Sequence, residues 1–452
     1  MAASRSSPSP DPAQALPAAV AAALAAAGLA PGARIRLALS GGVDSVALLH
    51  LLHRFAPRFD FQLSARHVHH GLSPQADRWL AFCADQCAAL GVPFEGWRVT
   101  VDRDDPQGLE AAARRVRLAA LEGPGADWLA LGHHLDDQAE TLLFRLIRGT
   151  GLRGAGGMRQ LERPLTGLPR LRPLLQVRRG AIEAWARGAG LAWVEDESNA
   201  DTRFARNHLR HQVLPLLEGE RPGAGMALAR AAGHFQEASD LLDELAALDG
   251  AGCGGEFWGR GVFLALSPAR QANLVRWRMR ALGGATPESA RLAEALRQVR
   301  EVAGGVGLHL PLGELALCLF RETVWLEPVE AGAPAPQPVA WPLAGAVVLP
   351  WGRGRVVLEP AEGAGLSHAA LGRAVCRLVS RWPGMGLRPH RNGPMRSFKN
   401  LCQEAGVPPW QRDILPVLAV GSEAVWVAGL GIAAGFACLP GDAGIVPRWE
   451  RR

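Results

Sequence analysis

Between residues 35 and 193 the chain alternates between two hydrophobic periods. Short runs at 35–39, 62–68, 95–101 and 128–131, the first and last mostly apolar, read as strands. Runs with apolar positions every three or four residues at 46–54, 76–90, 109–121 and 137–147 read as helices. Strand and helix take turns, which predicts an α/β fold: a parallel sheet with helices on both faces. A polar, proline-containing tail and a short alanine-rich helix over about 13–27 precede it. Ligands of such sheets lie beyond the carboxyl ends of the strands. The polar stretches starting at Ser40 and His133 both fall there.

The pattern changes near residue 215. Residues 226–248 read as one long amphipathic helix, and a helical part is expected to about residue 328. A Pro/Ala-rich linker occupies 330–340. Beyond it, runs such as AVVLPWGRGRVVLEP and AVWVAGLGIAAGF predict a small β-rich part. The chain of 452 residues thus divides into a tail and first helix (1–30), an α/β domain (31–215), a helical domain (216–329) and a β-rich C-terminal domain (341–452). No run of 18 apolar residues suggests a membrane span.

Charge adds a location to this plan. Lys+Arg number 49 against 43 Asp+Glu, and the one lysine is Lys399. Residues 141–190 hold ten arginines and two acids (Glu162, Glu183), whereas 211–260 hold eight acids and three arginines. Residues 371–452 carry eleven basic residues and five acids. Basic regions on an enzyme core and a terminal domain are the footprint of a polyanion such as RNA. Tyrosine is absent, and the seven cysteines form no C-x-x-C pair, which suits a reducing, cytoplasmic setting.

The chemistry concentrates at the predicted strand ends. Ser40-Gly41-Gly42-Val43-Asp44-Ser45 links a strand directly to a helix. Two glycines let successive N–H groups converge on an anion, and the helix adds its positive end. The loop lacks the lysine of a Walker A motif. Asp44 would repel phosphate unless Mg²⁺ stood between them, and Ser45 can cap the helix. After the fourth strand, His133, His134, Asp136, Asp137 and Glu140 crowd one helical turn, which suits Mg²⁺ ligation and proton handling. Gly149 to Gly154 spell G-x-G-x-x-G but follow a helix, so a dinucleotide site is not expected. Arg114 and Arg117 lie one turn apart, and Arg203, Arg206, Arg210 and His211 cluster with Asn207 near the domain end. His67, His69 and His70 lack the partners a zinc hydrolase site would need.

The loop S-G-G-V-D-S resembles that of the PP-loop ATP pyrophosphatases, which cleave ATP to AMP and pyrophosphate. With H-V-H-H-G-L-S, E-A-A-A-R-x-x-R, H-H-L-D-D-Q-A-E-T, R-G-T-G-L-x-G and S-N-x-D-x-R-F-x-R-N-x-x-R-H, all in order over about 35–215, the chain resembles the tRNA(Ile)-lysidine synthases. PPWQRDILPVLAVGSEAVWVAGLGI resembles that family's C-terminal domain. Leu118 stands where the family often has tyrosine, and PMRSFKNLCQE is poorer in lysine than usual. The resemblance implies ATP-dependent joining of free L-lysine to C2 of the wobble cytidine of a tRNA(Ile) with a CAU anticodon. It implies Ser40, Gly41, Gly42, Val43, Asp44 and Ser45 around pyrophosphate, and Mg²⁺ on Asp44 and Asp137. Arg114, His134, Glu140 and Arg206 would complete the catalytic set, with the acids or His134 taking the amine proton. The sequence admits a homodimer without specifying one.

Two other readings fit parts of the sequence. A tRNA thiolase of the same superfamily needs a reactive cysteine pair or iron–sulfur ligands near the site, and Cys83 and Cys87 lie on a helix remote from the strand ends in sequence. A non-catalytic RNA-binding protein would not need an intact phosphate loop and an intact acid cluster.

Overall fold

The computed structural model describes residues 12–451 apart from 70, 72, 103, 107, 196–204, 331, 340–344, 373, 374 and 391. It forms two compact units, Met1–Leu242 and Asp243–Arg452.

The first unit runs α1 (Pro12–Ala27), β1 (Ala33–Ala38), α2 (Val43–Phe59), β2 (Phe61–His69), α3 (Ala76–Leu90), β3 (Phe94–Arg98), α4 (Leu109–Leu121), β4 (Trp128–Ala130) and α5 (Leu135–Ile147). After these come α6 (Leu152–Ala155), β5 (Leu161–Glu162), β6 (Arg170–Leu171), α7 (Arg179–Gly188), α8 (Ala205–His208) and α9 (Leu214–Glu220), and α10 (Ala224–Cys253) begins in this unit. The strands make one sheet in the order β3-β2-β1-β4-β6-β5, parallel except for β5. The chain leaves β1 toward β2 on one side and later returns to place β4 on the other. That reversal opens a crevice at the carboxyl ends of β1 and β4.

In central β1 the buried Arg36 donates to the carbonyls of Leu121, Gly123 and Pro124, and the alternating Ile35 and Leu37 are fully buried. Leu16 and Leu24 of α1, Leu48 of α2, Cys87 of α3 and Ile182 of α7 share one core with them. Each such aliphatic side chain contributes about 1.5–3 kcal/mol through burial. Val68 and Leu129 pack against Ala120 and Leu121 of α4 in a separate cluster. α2 starts three residues before the apolar period does, at Val43, so the helix N-terminus lies inside the glycine loop.

In the second unit, β7 (Trp258–Gly259), α11 (Arg260–Ala265), α12 (Pro268–Ala281) and α13 (Ser289–Glu301) are followed by β8 (Leu308–Pro311), β9 (Leu315–Phe320) and β10 (Thr323–Pro328). The helical part therefore also carries an antiparallel sheet, ordered β7-β10-β9-β8, which the sequence pattern did not predict. Leu315, Leu317 and Leu319 face a core with Leu274 and Leu296, while Ala316 and Cys318 cluster with Trp325 and Trp410. The remaining strands, from Gln337–Val339 to Ala443–Glu450, form the expected β-rich part around a core that includes Trp351, Leu378 and Val425. Buried Glu327 accepts hydrogen bonds from Trp325 Nε1 at 3.0 Å, Trp410 Nε1 at 2.7 Å and Gln411 Nε2 at 2.6 Å, tying that part to β10.

Candidate active site

At the end of β1 the backbone turns through Gly41, whose φ of +92° favours glycine. A Cβ there would also stand 2.7 Å from Val194 Cγ2. The Ser45 side chain caps no helix. Its Oγ accepts from the backbone N–H groups of Ser40 and Gly41, both at 3.2 Å, and donates to Gly42 O at 3.0 Å. Ser40 Oγ lies 3.0 Å from Ser45 Oγ. The N-cap of α2 is Gly42, with no side-chain bond. Ser45 Oγ thus occupies the centre toward which the loop amides point, the place an anion would take.

Asp44 sits in the first turn of α2, a quarter exposed, and its Oδ1 is buried without a hydrogen-bond partner. Burial pushes its carboxyl above the ordinary range, against the pull of His134. A buried, partnerless carboxylate oxygen beside an anion cradle fits a cation. Gly132, at the end of β4, allows the close approach: a Cβ on it would lie 3.3 Å from the backbone of Asp44 and Ser45.

His134 is the N-cap of α5 and is almost fully buried. Its Nδ1 accepts from Asp137 N at 3.3 Å, and its own backbone N–H donates to Asp137 Oδ2 at 3.0 Å, a reciprocal cap. With the Nδ1 lone pair engaged, the ring proton belongs on Nε2. Nε2 lies 3.8 Å from Asp44 Oδ2 and 3.4 Å from Asp137 Oδ2. Burial opposes ionisation of Asp137, but His134, His133 and Arg210 outweigh it and hold the carboxyl below its usual range. Glu140, on the same face of α5, is raised by burial, with Arg210 pulling the other way. Arg210 binds both acids: Nε to Glu140 Oε1 at 2.6 Å and Nη2 to Asp137 Oδ1 at 2.8 Å.

Ser40, Asp44, Ser45, His133, Arg114 and Arg117 line one cavity of about 300 Å³. Burial and then the neighbouring Arg206 pull the Arg114 guanidinium below its ordinary value. Arg117 is affected in the same way. Cations that repel one another around a cavity mark a place for an anion. Burial also holds the His133 imidazole well below its ordinary range, and its Nδ1 is buried and partnerless. Arg206 does not line this cavity; its Nη2 donates to Thr141 Oγ1 of α5 at 3.0 Å.

The structure therefore joins the phosphate loop, Asp44, His134 and Asp137 directly. Glu140 is linked through Arg210, Arg114 faces the same cavity, and Arg206 stands one bond away on α5. Arg203 falls outside the described residues. Sequence reasoning singled out Asp137 and Glu140 and grouped Arg210 with Arg206, but did not connect that guanidinium to the two acids. The signal was available: Arg210 lies one turn after Arg206, although it sits on a π-helical turn, Leu209–Val213.

Other expectations change. Cys83 is remote from the loop in sequence but not in space: its Sγ would lie 3.3 Å from a Cβ on Gly41 and is 3.5 Å from His67 Nδ1. Burial pushes the Cys83 thiol up to about 12 and the Cys87 thiol to about 11, so neither is a reactive thiolate. His67 Nδ1 meets Leu39 O at 2.9 Å and His69 Nε2 meets Asp77 at 3.3 Å, which uses these histidines inside the protein. Much of the arginine band at 141–190 is also engaged within the fold. Arg145 holds Gly154 O and Gly157 O, Arg159 pairs with Asp240, and Arg170 and Arg172 pair with Glu162.

Comparison with known proteins gives three family matches. A family model described as a PP-loop domain matches residues 17–217, a TilS substrate binding domain matches 260–325, and a TilS substrate C-terminal domain matches 376–451. A tRNA(Ile)-lysidine synthase of Aromatoleum aromaticum is 56% identical over 429 residues, covering 95% of this chain and all of its own. One from an Azoarcus species is 51% identical, covering 94% of each chain. Another, from Nitrosomonas europaea, is 37% identical, covering 93% of this chain and 92% of its own.

Proposed function

The chain belongs to the tRNA(Ile)-lysidine synthase family, and we propose that it performs that family's reaction with the residues gathered at the ends of β1 and β4. ATP adenylates the C2 oxygen of the wobble cytidine of a tRNA(Ile) with a CAU anticodon, and pyrophosphate leaves. The ε-amine of lysine then displaces AMP. The observation that carries the assignment of the site is the partnerless Asp44 carboxylate oxygen beside a loop whose amides converge on Ser45 Oγ.

The loop Ser40–Ser45 receives the phosphates, which replace Ser45 Oγ as the acceptor of the Ser40 and Gly41 amides. Mg²⁺ suits Asp44 and Asp137, and when bound it offsets the repulsion between these carboxylates and phosphate. Arg114 faces the same cavity and stabilises negative charge that moves onto the leaving pyrophosphate. His134 faces the carboxylates of Asp44 and Asp137 from Nε2, and with its Nδ1 lone pair engaged by the Asp137 amide it is not the base. Lysine reaches the site as an ammonium and must lose a proton to attack. Glu140, whose carboxyl burial raises against the pull of Arg210, is the group assigned to accept that proton. Arg206 steadies the RNA side of the site from its anchor on Thr141. Free, mostly buried cysteines and a tRNA substrate support a cytoplasmic enzyme.

The decisive assay is lysine-dependent AMP release with and without tRNA(Ile) bearing CAU. AMP formed only when lysine and that tRNA are both present, with lysidine in the product RNA, is expected. AMP release independent of lysine would overturn the reading.

A further inference from the structure

A cavity of about 540 Å³ opens in the second unit beside β9 and β10. Two aromatic rings of its lining form a tilted pair. Phe257 and Trp325 have centroids 6.1 Å apart and an interplanar angle of 51°. Phe257 is 59% exposed, so much of its ring is open to a ligand. Trp325 is held still, because its Nε1–H donates to Glu327.

Among the described residues around the cavity, Arg321 has no carboxylate partner. Glu327 is saturated by three neutral N–H donors, Glu330 pairs with Arg451 at 3.7 Å, and Glu322 pairs with Arg260 at 3.2 Å. Arg321 lies over the Phe320 ring at 5.5 Å and donates to the neutral carbonyl of Gln403. It also occupies a demanding position. Arg321 and Glu322 form the β9–β10 turn with φ of +48° and +61°, a conformation that favours asparagine and glycine. The hairpin thus holds an arginine at a place where its backbone would be better served by a smaller residue.

Exposed aromatic faces beside an arginine are how proteins bind nucleotides whose bases are unstacked. A duplex hides its base faces, so only an unpaired base offers one to Phe257. The cavity is walled from both sides by segments that match substrate-domain families: Phe320 and Arg321 from 260–325, and Gly406 and Gln411 from 376–451. We propose that this cavity takes one unpaired nucleotide of the tRNA, with its base on Phe257 and its phosphate facing Arg321. The proposal rests on the lysidine-synthase reading, since it takes tRNA as the partner.

The test uses the full chain and a tRNA(Ile) transcript bearing CAU, with dissociation constants measured by filter binding at fixed salt. Phe257→Ala should weaken binding about tenfold, the effect of losing one stacked base. Phe257→Leu should resemble Phe257→Ala, and Phe257→Trp should bind like the parent chain. Arg321→Gln should weaken binding and flatten its salt dependence. The loss should appear in the KM for tRNA and not in the KM for ATP. Phe257 is mostly exposed, so an unchanged melting temperature will separate loss of contact from loss of fold. Parent-like binding by Phe257→Ala and Arg321→Gln overturns the proposal, as does a Phe257→Leu variant that binds as tightly as Phe257→Trp. Failure of the parent chain to make lysidine would instead sink the functional reading beneath it.

Discussion

Arg210 Nε donates to Glu140 Oε1 at 2.6 Å, and the same guanidinium reaches Glu140 Oε2 at 3.0 Å and Asp137 Oδ1 at 2.8 Å. One cation therefore fixes the two acids that project from adjacent turns of α5. The Glu140 side chain is 4% exposed, so this is a buried, bidentate pair rather than a surface contact.

Arg210→Met should be costly for that reason. Removing one partner of a buried pair leaves the other charge uncompensated, at about 3–5 kcal/mol. Adding Glu140→Gln to the same chain should recover much of the loss. Denaturant titration of the four chains of the double-mutant cycle measures the coupling. A single-variant cost below about 1 kcal/mol would mean that solvent screens the pair.

Asp44→Asn should abolish AMP formation and leave the fold at least as stable. The Asp44 carboxyl is raised by burial, so ionising it in the folded state costs free energy. The parent chain has the stability of the neutral acid below the unfolded value of about 3.9 and loses it as pH rises through the higher folded value. The asparagine variant undergoes no such loss. Its melting temperature should equal the parent's near pH 3.5 and exceed it at pH 7. A variant that melts lower at pH 7, or that turns over normally, contradicts the role given to Asp44.

The parts of this architecture set by local pattern were readable from the sequence. α3 and α4 run over Ala76–Leu90 and Leu109–Leu121, the ranges their apolar period predicts. The phosphate loop was readable because its residue types have few other uses side by side. Long-range pairing was not. Arg170 meets Glu122 and Arg159 meets Asp240, so part of an apparent RNA-binding band neutralises acids far away in the chain. The short strands β8 to β10 were absorbed into a helical reading, because runs of four to six apolar residues fit either state. Cys83 under Gly41 could not be inferred either, since no periodicity links α3 to the loop.

Arg206→Ala should lower kcat, by about a hundredfold if it acts like a lost transition-state donor, and change the KM for tRNA much less. Thr141→Val, which removes only the anchor for Arg206 Nη2, should show a smaller loss of the same kind. Steady-state kinetics at varied tRNA separates the two parameters. A raised KM at unchanged kcat would place Arg206 in simple tRNA binding.

The C-terminal basic surface offers a last test, and the structure sharpens it. Several of its cations are already engaged: Arg381 pairs with Asp413, Arg396 with Glu404 and Arg448 with Glu359. Among the described residues, Arg377, Arg388 and Lys399 are exposed and form no ion pair. Among the described residues of 371–452, these three are open to phosphate. Deleting the whole domain would be a poor experiment, because Trp410 covers the buried face of Cys318 and Trp325, and its loss would expose that face. Replacing Arg377, Arg388 and Lys399 together by glutamine leaves the core untouched. Each phosphate contact contributes roughly 0.7–0.9 to the slope of log K against log salt. The triple variant should therefore bind tRNA more weakly and lose about two to three units of slope, while its KM for ATP stays near the parent's, since the ATP site lies in the first unit. An unchanged slope would mean that this surface does not touch the tRNA backbone.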